Sequence, residues 1–397
     1  MIAISKLAAA VQPSATLAAG AKAKQMKAEG LTVFDFSLGE PDFPTPEHIC
    51  AAAVKAMRDG HTHYTPAAGV PELRRAIAKW YEKTYAIRYS PDQVVVSNGA
   101  KHSIHNALWS TVGPGDEVII PTPYWVSYSD MVEMTGARYV LVPTTIESGF
   151  KMTPGQLRAA VTPRSRLLML NSPCNPTGTV YTRTELEALA DVVLEMKLSV
   201  LSDEIYEKLM FGDAKPTCFA TLRPELADRT ITISGASKSY AMTGWRMGWA
   251  LGPAGVMKAM GNVQSQQTGN PCSISQYAAL AALEGQQDCV EQMRREFEAR
   301  RDLVVARLSA MPGVKCRKPE GAFYAFFDVS AHFGRTLAGR KVTDSVSFCT
   351  AALETAQVNV VPGSAFGAEG YVRLSYATSR EQLQAGLERL ERWLQGQ

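Results

Sequence analysis

Between Ser234 and Gly248 the chain reads Ser-Gly-Ala-Ser-Lys-Ser-Tyr-Ala-Met-Thr-Gly-Trp-Arg-Met-Gly, a single lysine, Lys238, among small residues and an arginine, Arg246, eight positions on. The chemistry of Lys238 depends on its surroundings. On an open loop the amine is merely solvated, as most lysines are. Crowded by small side chains it leaves room for a carbonyl compound, and partial burial lowers its pKa and makes it a Schiff-base nucleophile. Arg246, between Gly244 and Gly248, carries the planar fork that grips a phosphate at two points. A second anion site is written at Asn98-Gly99-Ala100-Lys101-His102-Ser103, where small residues open a helix directly after a strand. The free N–H groups and the helix dipole both face a ligand there. Arg373 stands in the otherwise apolar run Tyr371-Val-Arg-Leu-Ser-Tyr376. Either it lies on an edge strand facing water, or it is buried and requires an anion.

These residues need elements to position them. Thr230–Ile233 is a β-branched strand feeding Lys238, and Gln93–Ser97 is the strand before the anion turn. Glu117–Ile120 leads to Pro121-Thr-Pro-Tyr124-Trp125, and Leu198–Leu201 leads to Ser202-Asp-Glu-Ile-Tyr206. The run from Arg166 to Asn171 is continuously apolar, as in a sheet buried on both faces, and ends in Asn171-Ser-Pro-Cys174-Asn175-Pro-Thr-Gly178. Further strands are expected at 31–38, 249–252, 322–329, 358–361 and 371–376. Helices are expected at 22–30, 71–85, 184–197, 273–284 and 290–308. Strand and helix alternate from about residue 90 to 250, which predicts an α/β fold with a mostly parallel sheet wrapped by helices. The expected large domain covers residues 46–290, and residues 1–45 and 291–397 combine in a smaller α+β domain. Lys101, Trp125, Asn175, Asp203 and Lys238 all follow strands, at the edge where such sheets bind ligands.

Composition narrows the function classes. A formal charge of +3, from 41 basic and 38 acidic residues in 397, argues against a dedicated nucleic-acid surface. The seven cysteines, at 50, 174, 218, 272, 289, 316 and 349, are scattered without a Cys-x-x-Cys pair. That pattern indicates neither zinc nor a disulfide framework and fits the cytoplasm. Residues 1–20 make a poor signal peptide, no membrane span is expected, and His61 and His63 lack a third ligand for a metal. Gly113-x-Gly115 precedes a strand instead of following one, so it is not a dinucleotide fingerprint.

From Gly39 to Arg373 the motifs, Asn-Pro-Thr-Gly at 175–178 and Ser-x-x-Ser-Lys at 234–238 above all, resemble the class I aminotransferases, fold-type-I enzymes that use pyridoxal phosphate. The resemblance is nearest to the bacterial aspartate and aspartate–prephenate subgroup. It implies Lys238 as the Schiff-base lysine and proton carrier, Asp203 at the pyridine nitrogen, and Asn175 and Tyr206 at the 3′-oxygen. Trp125 would stack on the ring, and Gly99, Ala100, Lys101, Ser237 and Arg246 would border the phosphate, with Tyr64 reaching it from the partner of a homodimer. Gly39 would lie beside the substrate carboxylate, gripped by Arg373, with Trp125 and Asn175 alongside. Lys101 would take the distal carboxylate of an acidic substrate. Ser14 and Thr16 would belong to a segment that closes over it. Cys174 departs from the asparagine of many relatives. The implied reaction passes an amino group between aspartate or glutamate and 2-oxo acids in a ping-pong cycle, prephenate being a further acceptor. Aromatic or alanine substrates, or another pyridoxal phosphate reaction on the same scaffold, stay open. A non-catalytic cofactor-binding regulator is disfavoured, since neither a DNA-binding module nor a basic stripe is visible.

Overall fold

The computed structural model describes residues 2–5, 8, 9, 11, 13 and 15–396, those at 15–17 as backbone only. The chain enters through helix α1 (Ala15–Ala28), the short strand β1 (Phe34–Asp35) and helices α2 (Glu47–Arg58) and α3 (Pro71–Tyr85). Helix α3 begins with proline at its first turn after extended Val70 and stops where Ala86 turns left-handed, at φ 55°. Its core face is Leu73, Ile77 and Tyr81, spaced one turn apart.

A seven-stranded sheet follows, built from β2 (Val94–Asn98), β3 (Glu117–Thr122), β4 (Arg138–Pro143), β5 (Ser165–Asn171), β6 (Ser199–Asp203), β7 (Thr230–Gly235) and β8 (Met247–Leu251). The order is β2-β8-β7-β6-β5-β3-β4, and β8 alone runs antiparallel to its neighbours. Helices α4 (Ala100–Thr111), α5 (Ser127–Glu133), α6 (Pro154–Ala160), α7 (Arg183–Glu195) and α8 (Ala254–Gln267) alternate with the strands. Leu167 to Leu170 of β5 are all buried, because helices cover both faces. Parallel running brings Asn98, Thr122, Asn171, Asp203 and Gly235 to one edge. The reversed β8 starts at that same edge, with Met247 opposite Asn98 and Gly248 opposite Gly235. Arg246 therefore arrives beside the residues that follow the other strands. No described helix is long and apolar enough to cross a membrane.

Helix α9 (Ser273–Glu284) and the 23-residue α10 (Asp288–Ala310) lead to β9 (Lys315–Cys316) and β10 (Tyr324–Asp328). A small hairpin, β11 (Thr336–Leu337) and β12 (Arg340–Lys341), precedes α11 (Ser345–Ala356) and strands β13 (Val358–Asn359), β14 (Val361–Pro362) and β15 (Tyr371–Ser375). The chain closes with α12 (Arg380–Leu394). The antiparallel sheet β14-β15-β10-β9 places Arg373 on an inner strand, opposite Phe326 and Val361. Phe34 and Phe36 join its core beside Phe297, Phe323 and Leu387.

Two expected strands come out differently. The alternation at 31–38 yields only Phe34–Asp35, because Asp35 Oδ1 accepts from Ser37 N (3.1 Å) and Oγ (2.7 Å) and turns the chain. The run 358–361 breaks at Val360, since β13 pairs with β1 and β14 with β15. Strand β4 is not foreshadowed in the sequence: it is an edge strand whose exposure pattern does not alternate.

Candidate active site

The gathered strand ends surround a cavity of about 930 Å³. Gly39, Ala100, Lys101, Trp125, Asn175, Asp203, Tyr206, Ser237, Lys238, Arg246 and Arg373 all lie on its wall. Gly99 stands just behind Ala100 at φ 88°, and a Cβ there would strike the Arg246 guanidinium. Gly248 is under the same constraint from the other side, where a Cβ would meet the Ala100 amide. Tyr64 is not on this wall; it projects from the chain with 96% of its surface exposed. Ser14 and the side chain of Thr16 lie outside the described residues.

Lys238 Nζ points into the cavity and donates to the Gly39 carbonyl. Burial pushes its pKa down to about 8 against the opposing pull of Glu40, with Arg373 and Arg246 adding to the depression and Asp203 resisting it. Asp203 is buried at the end of β6, with Oδ2 accepting from Tyr128 Oη (2.5 Å) and Oδ1 from Ile205 N (3.2 Å). Burial pushes this carboxyl up to about 6, although both hydrogen bonds and Lys238 hold it back.

Arg373 is 1% exposed. Its Nη1 donates to Asn175 Oδ1 (2.9 Å) and Nη2 to the Ser37 carbonyl (2.8 Å), while Nε has no partner among the described residues. The guanidinium packs 4.5 Å from the Tyr324 ring centroid and 4.9 Å from that of Phe366, and burial lowers its pKa. A cation sealed this way with only neutral partners is a carboxylate site in waiting. Tyr206 and Tyr324 share a hydroxyl contact of 2.9 Å beside it. Lys101 Nζ stands 4.9 Å from the centroid of Trp125, whose ring meets Tyr128 edge-on.

Residues 32–390 match the family Aminotransferase class I and II. The chain belongs to that family. It is 48% identical over 395 residues to the aspartate/prephenate aminotransferase of Cereibacter sphaeroides, with 99% of each chain covered. It is 48% identical over 392 residues, again 99% of each chain, to the aspartate aminotransferase of Geobacillus stearothermophilus. Among solved structures it superimposes on the Rhizobium meliloti aspartate aminotransferase with a TM-score of 0.96 at 43% identity, covering 100% of this chain and 99% of that one. The Thermus thermophilus aspartate aminotransferase with maleate matches with a TM-score of 0.93 at 42% identity, over 99% and 100% of the two chains.

Aminotransferases of this family and fold depend on pyridoxal phosphate. The wall residues fit that group. A buried carboxylate whose direct partners are neutral donors suits a protonated ring nitrogen. The helix start at Ala100, the Gly99 turn and Arg246 form a phosphate cradle, packed so closely that a Cβ at 99 would strike the guanidinium and one at 248 the Ala100 backbone.

Two wall contacts escaped the sequence reading. Tyr128, which fixes Asp203, sits three residues after Trp125, a helical spacing that could have flagged it. Tyr324, beneath Arg373, is the hydroxyl-bearing member of a Phe-rich run that reads as ordinary core.

Proposed function

We propose that this aminotransferase moves the amino group of L-aspartate or glutamate to 2-oxoglutarate or oxaloacetate, and that prephenate is a further acceptor. One observation carries the reading: two cations, Arg373 and Lys101, share one cavity wall, and neither has an ion-pair partner among the described residues. A dicarboxylate satisfies both. The names of the Cereibacter and Geobacillus relatives, and the maleate in the Thermus structure, support the same choice. Assaying oxaloacetate from aspartate plus 2-oxoglutarate, then arogenate from prephenate, tests both halves; no oxaloacetate would sink the first.

In this reading Asp203, Tyr206, Asn175, Ser237, Arg246, Trp125 and the Gly99–Lys101 turn hold pyridoxal phosphate. When bound, it offers an aldehyde to the substrate amine and a ring that withdraws electrons from Cα. Arg373 fixes the α-carboxylate with its fork, and Gly39 leaves space beside it. With the cofactor bound, Lys238 Nζ, brought to about 8, would take the proton from the substrate Cα as base and then, as acid, give it to the C4′ carbon of the cofactor, the reverse transfer serving the second oxo acid. Asp203 would hold the proton on the ring nitrogen. Leu38, Trp125 and Ile205 line the chamber and shed water from it.

Lys101 sets substrate choice. Its ammonium is held below the ordinary lysine range, first by the crowding of the wall and then by Arg246, with Asp130 opposing. A cation at the start of a helix faces the wrong end of the dipole, which favours a partner anion. Lys101→Ala should raise KM for aspartate and 2-oxoglutarate about 10- to 100-fold, the worth of one charge-assisted hydrogen bond, and spare aromatic substrates. Equal losses on both substrate kinds would remove the main support for the acidic-substrate reading.

The same proposal includes a homodimer in which exposed Tyr64 reaches the neighbouring site; light scattering that finds only monomer would refute it. It places the chain in a reducing cytoplasm, in keeping with seven free cysteines. It also divides the chain into a large domain at 46–290 and a small one at 1–45 and 291–397. Supporting this division, Phe34 and Phe36 share a core with the C-terminal elements.

A further inference from the structure

Behind the turn that carries Asp203 and Tyr206 lies a charged cluster that the reaction above leaves unused. Asp203 and Tyr206 face the cavity, whereas Glu204, Glu207 and Lys208 enter the core on the other side, among α3, β7 and the start of α10. Glu207 is 6% exposed. Its Oε2 accepts from Tyr85 Oη (2.6 Å) at the end of α3, and its Oε1 accepts from Ser234 Oγ (3.3 Å) on β7, four residues before Lys238. Lys208 Nζ donates to Tyr240 Oη, two residues after Lys238, and to Gln287 Oε1 (3.2 Å), with the Trp80 ring centroid 3.6 Å away. The cluster thus ties the Asp203–Tyr206 turn to both flanks of Lys238.

The two buried carboxyls differ in their partners. Glu204 accepts from Ser202 Oγ (2.8 Å) and Phe219 N (3.1 Å) on Oε1, and its Oε2 has no partner among the described residues. Burial and the neighbouring Glu207 push it up to about 8, so it is largely neutral at pH 7. Burial raises Glu207 as well, but Lys208, Tyr85 and Ser234 all favour its ionised form. A buried polar cluster of this kind adds little net stability over apolar packing of the same volume; what its hydrogen bonds can supply is fixed geometry.

We propose that Glu207 is a positioning residue for transamination: through Tyr85 and Ser234 it holds the Lys238 segment in register with the Asp203–Tyr206 turn. The inference rests on the aminotransferase reading. Its test compares Glu207→Ala with Glu207→Gln in the holoenzyme, by kcat, KM and the pH midpoint of the bound cofactor's visible absorbance. The alanine variant should lose about tenfold or more in kcat, as small misplacements of reacting groups do, with KM little changed and the midpoint displaced. Glutamine accepts from Tyr85 through its oxygen and donates to a rotated Ser234 hydroxyl through its amide, so it should restore both. A folded alanine variant with native kcat and midpoint overturns the proposal, and so does a glutamine variant as impaired as alanine. Should Glu207→Ala fail to fold, Tyr85→Phe and Ser234→Ala each delete a single hydroxyl, and native values in both would overturn it equally. A wild-type protein lacking cofactor absorbance and turnover would instead defeat the aminotransferase reading.

Discussion

Lys238→Ala should abolish turnover, with a loss of at least about 10⁴-fold, the upper end of what one positioned proton-transfer group contributes. It would also remove the only amine among the described residues that lies deep in the cavity with Asp203 and Arg373 around it. Lys24, Lys27 and Lys101 line the same wall, so the assignment is open to direct challenge. Lys238 wins on physical grounds. Burial brings its pKa down to about 8, which leaves a useful fraction of free amine near neutral pH, whereas Lys24 and Lys27 are exposed and Lys101, though also lowered by burial, stands over the Trp125 ring. Borohydride reduction of the native holoenzyme, followed by peptide mapping, should find the cofactor fixed to Lys238 alone. Fixation to Lys101 or to a lysine of α1 would end the assignment. A small exogenous amine should restore part of the proton transfer to Lys238→Ala, because the alanine leaves room where the Nζ stood.

What the sequence disclosed of this site was the chemistry that sits next to strand ends. Lys238, Asp203, Asn175 and Lys101 each follow a buried apolar strand, and parallel strands in one sheet must deliver their C-terminal ends to one edge. Arg373 was legible for another reason: an arginine inside an apolar strand is costly unless an anion meets it, and β15 proves to be an inner strand. Partners that are themselves apolar in character stayed hidden. Tyr128 and Tyr324 read as core aromatics because only their hydroxyls, aimed by helix α5 and strand β10, matter to the site. Glu204 and Glu207 were hidden by proximity to Asp203; adjacent acids at a strand end can equally be a cap for a following helix, and only the fold sends them to opposite sides. Strand β1 was overread for a local reason, since alternation persists through Ser37 while the Asp35 side chain bends the backbone. Neither local effect has a signature in hydrophobic period.

Asp203→Ala should separate holding the cofactor from activating it. Its Oδ2 accepts from Tyr128 and its Oδ1 from Ile205 N, so nothing in its hydrogen bonds compensates its charge; a ring proton can. Removing the carboxylate should therefore cost roughly 10²- to 10³-fold in kcat, the usual toll for deleting one preorganised electrostatic partner. Cofactor affinity should fall far less, since Arg246 and the Gly99 turn are left intact. Asp203→Asn keeps the volume and loses the charge, and should be nearly as slow as alanine; near-native turnover in either would show that the carboxylate only shapes its own turn. Tyr128→Phe gives the pH signature. The Tyr128 hydroxyl stabilises the ionised form and holds the pKa of Asp203 down, so deleting it raises that pKa further above the ordinary carboxylate range. The acid limb of kcat should then move to higher pH, with activity falling earlier as pH is lowered and preserved on the alkaline side. An acid limb that stays in place, measured as kcat against pH for the half-reaction with aspartate, would mean that Asp203 does not govern the proton on the ring.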